Sequence, residues 1–151
     1  YTLSLHDALP ISVRVSSAFV EHLKQQPDAV LINNSSILAF LPLVTNALYS
    51  ATKAAIHSYT LSQRFLLRDA GVNVIEISPP WVDTDLIYKS GDSRAMPVAD
   101  FIQQTFDKLA TDSIEVIVDS VLPARANPGV NEHEMVNAFN QSMVDNPIPV
   151  A

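Results

Sequence analysis

The sequence predicts an α/β fold built on a parallel sheet, and three observations carry the prediction. Apolar, β-branched runs at 29–34, 72–78 and 114–120 read as buried strands. The stretches between them, 46–70 and 98–112, repeat apolar residues at helical intervals. Each is long enough to serve as the crossover that parallel neighbours need. No internal repeat or linker divides the 151 residues, so one domain is expected.

Taken in order, the opening YTLSLHDALPI is a poor start for any fold. It resembles the translation of a short-read sequencing adapter that runs into its insert near Ser12. Residues 1–12 are therefore set aside as non-native, His6 and Asp7 with them. From Val13 to Gln26, Val15, Ala18, Phe19 and Leu23 recur at helical spacing, and Pro27-Asp28 breaks the pattern. His22 on this helix has no partner at metal-like spacing and reads as a surface residue. The strand at 29–34 runs into Ser35-Ser36. Its two glycosylation-like tripeptides, starting at Asn33 and Asn34, carry no weight at a buried strand edge.

The helix from about Asn46 to Ala70 stops at Gly71, a suitable C-cap. It carries Tyr49 and Lys53, which a spacing of four places on one face, one turn apart. An ammonium near a phenol favours the phenolate and lowers the phenol's pKa, which suits general acid/base work. His57, one turn further on, reads as a packed or solvent-facing residue. After the strand at 72–78 comes Pro79-Pro80-Trp81-Val82-Asp83-Thr84, then a mixed loop at 85–97 with no clear period. The 98–112 helix and the strand at 114–120 follow, and the tail ends in a short helix before a Pro-broken terminus. His133-Glu134 lacks the second His of a zincin, so no metal site is expected.

Ser36, Tyr49 and Lys53 match the pattern of the short-chain dehydrogenase/reductase family, a Tyr-x-x-x-Lys preceded by a Ser. The wording SSILAFLPL, YSATKAAIHSYTLS and ISPPWVDTDL is most similar to the DltE-like oxidoreductases of that family, over about Val13 to Asn140. The resemblance implies a partial Rossmann-like, doubly wound parallel sheet that lacks its first strands and Gly-rich turn. Residues 13–145 would be the carboxyl-terminal portion of that domain, with 146–151 as a tail. It implies NAD or NADP as cofactor and an alcohol or carbonyl as substrate.

By the same resemblance, Tyr49 is the proton donor or acceptor, Lys53 lowers its pKa and holds the nicotinamide ribose, and Ser36 holds the substrate oxygen. Pro79, Val82 and Thr84 would join Tyr49 and Lys53 in binding cofactor. Ser36, Trp81, Leu86 and Met96, with Ile87 and Tyr88, would line the substrate loop. The helix at 46–70 and the one before it would form a dimer face, giving a homodimer or homotetramer of the complete protein.

Departures are as telling. Pro80 stands where the family has Gly, which removes an N–H and fixes φ there; the DltE-like pattern shares it. The only glycines are Gly71, Gly91 and Gly129, so no Gly-rich phosphate cradle exists. The family's Asn-Ala-Gly motif is absent, and its catalytic Asn would fall in the adapter-like stretch. The chain therefore reads as a fragment, inactive alone, with an exposed edge on its Ser-bearing strand and a tendency to aggregate. A non-catalytic interaction or dimerisation domain is the alternative. A serine hydrolase is not, because there is no G-x-S-x-G elbow.

Composition narrows the classes. A formal charge of −7 argues against nucleic acid and anionic membranes as partners. No apolar run approaches the roughly 18 residues of a membrane span. The absence of cysteine fits a cytoplasmic protein.

Overall fold

The computed structural model describes residues 8–86 and 91–147. Residues 1–7, Ile87, Tyr88 and the tail from 148 on lie outside the described residues. In chain order the elements are α1 (Ala8–Leu23), β1 (Val30–Asn34), α2 (Ala47–Leu67), β2 (Asn73–Ile77), α3 (Val98–Leu109), β3 (Glu115–Val116), α4 (Leu122–Arg125) and α5 (Glu132–Asp145). The sheet has the order β1-β2-β3 and is parallel throughout. Val30 pairs with Asn73 and Asn34 with Ile77, so the two longer strands end level with one another.

Two boundaries differ from the expectation. The first helix runs from Ala8 to Leu23, so Ala8–Ser12 of the set-aside stretch are helical. Its end comes before Pro27, through a turn that closes on Asp28 at φ 52. The third strand pairs over two residues only, Glu115 and Val116, opposite Glu76 and Ile77. Strand β2 ends at Ile77, and the Ser78 N–H closes the pairing on the Val116 carbonyl at 3.0 Å. Ile117 and Val118 are still buried, but in packing rather than in a ladder. The long helix keeps its expected form: α2 passes into a 3-10 turn, Arg68–Ala70, and stops at Gly71 with φ 71. That left-handed conformation suits a residue with no Cβ.

Two apolar clusters hold the elements. Ala29, Leu67, Val72 and Val74 pack with Val20 and Leu23 of α1, which fixes α1 and α2 on one face of the sheet. Ile37, Phe40, Leu41, Ile117 and Ala124 form the second, with Val136 and Phe139 of α5 against it. This second cluster sits beyond the carboxyl ends of the strands and fixes the loop after Ser36.

Polar bonds finish the α2 docking. Asn33, buried on β1, donates to Thr60 Oγ1 at 3.0 Å and Gln63 Oε1 at 2.8 Å. Among the described residues no helix is long and apolar enough to cross a membrane.

Strand β1 pairs only with β2 among the described residues, and on its other face Val30 and Ile32 are each 46% exposed. A groove of about 550 Å³ lies between α1 and this strand, lined by Val15, Phe19 and Ile32 among others. An apolar edge of this kind is a template for strand addition. We expect the chain to self-associate through it, and Ile32→Lys to suppress the effect with little change in helical content. Light scattering against circular dichroism reads both; equal scattering from the two proteins would clear the edge of blame.

Candidate active site

Ser36 is placed by the end of β1. It is extended (φ −170, ψ 156) and caps the 3-10 turn Ile37–Ala39, its hydroxyl oxygen accepting from the Leu38 N–H at 3.2 Å. Capping leaves the hydroxyl proton free to serve elsewhere. That hydroxyl draws the Tyr49 phenol's pKa down. Burial works the other way and wins: Tyr49 is held above its ordinary value of 10.0.

Lys53 is 9% exposed, and its ammonium donates to the Asn34 carbonyl at 3.0 Å while standing 5.5 Å from the centre of the Tyr49 ring. Burial holds its pKa below 10.5. The geometry thus corrects one expectation from the sequence. The ammonium is aimed at a backbone oxygen beside the ring, so its pull on Tyr49 does not overcome desolvation.

The start of α2 is set by a residue that sequence reading missed. Asn140 of α5, buried, accepts from the Val44 N–H at 2.7 Å and donates to the Pro42 carbonyl at 3.0 Å. Ser50 accepts from the Leu43 N–H at 3.2 Å and returns a bond to the Asn46 carbonyl. Together they fix the loop that delivers Tyr49.

The loop after β2 is laced on both sides. The Pro79 carbonyl accepts from the Ile37 N–H at 2.9 Å, tying this loop to the Ser36 turn. Val82 and Met96 form a parallel bridge, flanked by Met96 N–H to the Trp81 carbonyl at 2.8 Å and Asp83 N–H to the Met96 carbonyl at 2.9 Å. Thr84 accepts from the Leu86 N–H at 3.4 Å. So Trp81, Val82 and Met96 are brought together, while Leu86 is 71% exposed.

Arg94 clamps the loop from outside. It forks onto Asp92 at 2.8 and 3.0 Å, donates to the Asn146 and Pro147 carbonyls, and lies over Trp81 at 5.7 Å. The guanidinium holds the Asp92 carboxyl down at about 2. Stability from this pair is therefore full above the ordinary 3.8 and is lost only as pH falls towards 2.

Close to the site lies a cluster of ionisable groups. His57 Nδ1 meets Glu76 Oε2 at 2.8 Å, and Glu76 is wholly buried. Glu115 takes a two-pronged bond from Arg125 at 2.8 and 3.0 Å, which overrides burial and keeps the Glu115 carboxyl below its ordinary value. Ligand-type atoms of His57, Glu76 and Glu115 lie within 4.8 Å of one another. Arg125 brings a permanent positive charge to the same cluster, so its geometry suits an ion-pair network better than a cation site. His57 is thus a packed residue.

A parallel sheet with Ser36, Tyr49 and Lys53 gathered at the carboxyl ends of its strands fits the doubly wound class, whose crevice lies at that end. The model for the short chain dehydrogenase family matches residues 11–95, and the chain belongs to that family. Among curated proteins it is 40% identical over 114 residues to the uncharacterized oxidoreductase DltE of Bacillus subtilis, a match spanning 72% of this chain and 45% of that protein. An uncharacterized oxidoreductase of Staphylococcus epidermidis is 43% identical over 75 residues, covering 50% of this chain and 33% of that protein. The chain therefore spans less than half the length of these curated relatives.

Two solved structures share the fold. A short chain dehydrogenase from Burkholderia cenocepacia in complex with NADP superposes with a TM-score of 0.70 at 22% identity, over 91% of this chain and 55% of that one. A short-chain dehydrogenase from Sphingobium yanoikuyae in complex with NADPH gives 0.67 at 16%, over 93% and 54%. The architecture is a partial Rossmann-like parallel sheet.

Proposed function

We propose that the protein carrying this chain is an NAD(P)-dependent oxidoreductase that transfers hydride between the nicotinamide and the carbon of an alcohol or carbonyl. The observation that carries this reading is the buried Lys53 ammonium 5.5 Å from the Tyr49 ring, with the Ser36 hydroxyl acting on the Tyr49 phenol. When bound, the cofactor supplies or accepts the hydride. Ser36 orients the substrate oxygen. Tyr49 gives that oxygen a proton in reduction and takes it back in oxidation. Lys53 fits the nicotinamide ribose, with Pro79, Val82 and Thr84 alongside it and with Trp81, Leu86 and Met96 towards the substrate. The complexes of the two structural relatives with NADP and NADPH support the cofactor class.

In this reading residues 13–145 are the carboxyl-terminal portion of one Rossmann-like unit, with 146–151 as tail. Three scattered glycines offer no cradle for a pyrophosphate, so the chain by itself turns over little. The protein works in the cytoplasm, a place its cysteine-free sequence suits. Phe19, Phe65 and Leu66 stand exposed on α1 and α2, and they support a homodimer or homotetramer. They also favour the second reading, a non-catalytic dimerisation domain.

The test is turnover of reduced nicotinamide, followed by absorbance, in a full-length version with a panel of ketones, aldehydes and alcohols. Cofactor binding with no turnover of any class would hand the case to the second reading. The pH profile is a separate expectation. Tyr49 is raised above 10.0, so the phenol keeps its proton at neutrality. Reduction should be flat through neutral pH and fall as pH rises past that value, whereas oxidation, which needs the phenolate, should climb. Opposite slopes would remove Tyr49 as the acid.

A further inference from the structure

We infer that Glu76, acting through His57 and Ser78, is a positioning residue for the Ser36–Tyr49–Lys53 site. The inference rests on the catalytic reading above. Glu76 is 0% exposed on β2 and takes no part in the proton transfer just described. A buried carboxylate is costly to desolvate, and an apolar side chain would fill the space between strand and helix without that cost. Packing alone gives no reason for a carboxylate here.

Its contacts supply one. Oε2 meets His57 Nδ1 at 2.8 Å, one turn beyond Lys53 on α2. Oε1 accepts from the Ser78 hydroxyl at 3.4 Å, and Ser78 shares a hydrogen bond with Ser35 at 2.8 Å. Ser35 immediately precedes Ser36, and Ser78 immediately precedes Pro79. One carboxylate therefore joins the three segments that carry the catalytic Ser, the Lys and the cofactor loop.

The roof is held from the same place. The His57 ring meets Phe40 edge-on at 4.7 Å and 74°, and Phe40 follows the turn that Ser36 caps. Arg125, paired with Glu115, lies over the same Phe40 ring at 4.6 Å. The charges facing Glu76 and His57 are thus Glu115 and Arg125, with Arg64 acting on Glu115 from α2. Ser36 and Lys53 are thus flanked, through Ser35 and His57, by a network whose members are mostly buried, the support that precise catalytic placement requires.

The test compares Glu76→Gln with wild type in the full-length protein. Amide exchange, followed by mass spectrometry, should quicken tenfold or more at the Ser35, Ile37 and Leu38 N–H groups. In the cluster around Leu67 and Val74 it should stay within twofold. Turnover should fall tenfold or more and KM for the cofactor should rise, because the segments carrying Lys53 and Pro79 are loosened together. His57→Asn, whose amide nitrogen can replace Nδ1, should keep most of the activity that His57→Leu loses; this pair also serves if Glu76→Gln does not fold.

Uniform quickening of exchange, or wild-type exchange at 35–38, would overturn the positioning role. Tyr49→Phe, assayed in parallel, separates the two ideas. If it still turns over, the catalytic reading fails, and exchange alone judges Glu76. If it is dead while Glu76→Gln is like wild type, only the positioning role fails.

Discussion

Tyr49→Phe is expected to lower turnover by about 10²–10⁴-fold, the usual worth of a positioned general acid, while leaving cofactor binding intact. The change deletes one oxygen from a half-buried ring whose place is fixed by α2 rather than by that oxygen. Only the phenol's interaction with the Ser36 hydroxyl is lost from the resting site. Ser36 keeps its Leu38 bond, and Lys53 keeps the Asn34 carbonyl. The fold and the ammonium therefore survive, and the proton donor alone is gone. The measurement pairs steady-state turnover in the full-length protein with cofactor titration by fluorescence quenching. Turnover within threefold of wild type would remove Tyr49 from the chemistry. A parallel loss of cofactor binding would show that it acts as a ligand instead.

Part of this arrangement was legible in the sequence because helical spacing puts Tyr49 and Lys53 on one face of α2, one turn apart. A strand end followed by a turn-forming Ser likewise places Ser36. What the sequence could not give was anything held by contacts distant along the chain. Asn140 looks like one polar residue among many on an amphipathic helix, yet it bonds to Pro42 and Val44 across the molecule. Glu76, between Ile75 and Ile77, reads as the polar phase of an alternating strand, but α2 covers that face and His57 meets it there.

The direction of the Tyr49 shift was also out of reach. It depends on whether desolvation or a nearby ammonium is larger, and spacing says nothing about where the ammonium points. The third strand was overlong for a related reason. Residues 117–120 have strand-like composition, but a strand exists only where a neighbour is there to pair, and β2 ends at Ile77.

Leu67→Ala should cost about 2–5 kcal/mol of folding stability, as deletion of a buried leucine generally does. Leu66→Ala, one residue away, should change it by no more than about 0.5 kcal/mol. A helix turns by 100° per residue, so neighbours in sequence face different surroundings. Leu67 is 4% exposed, packed with Ala29, Val72 and Val74 under α1, whereas Leu66 is 73% exposed.

Set against a typical domain stability of about 5–15 kcal/mol, the first loss removes a large part of the total. Leu67 also lies at the far end of α2 from Tyr49, roughly 27 Å along the helix axis. Turnover per folded molecule should therefore be unchanged even as the urea midpoint falls, with the slope of the transition preserved. Equal midpoints for the two variants would mean that α2 is not docked through this face. A turnover loss in step with the midpoint would mean that the α2 scaffold and the site are not separable, and that placement of Tyr49 depends on packing at both ends of the helix.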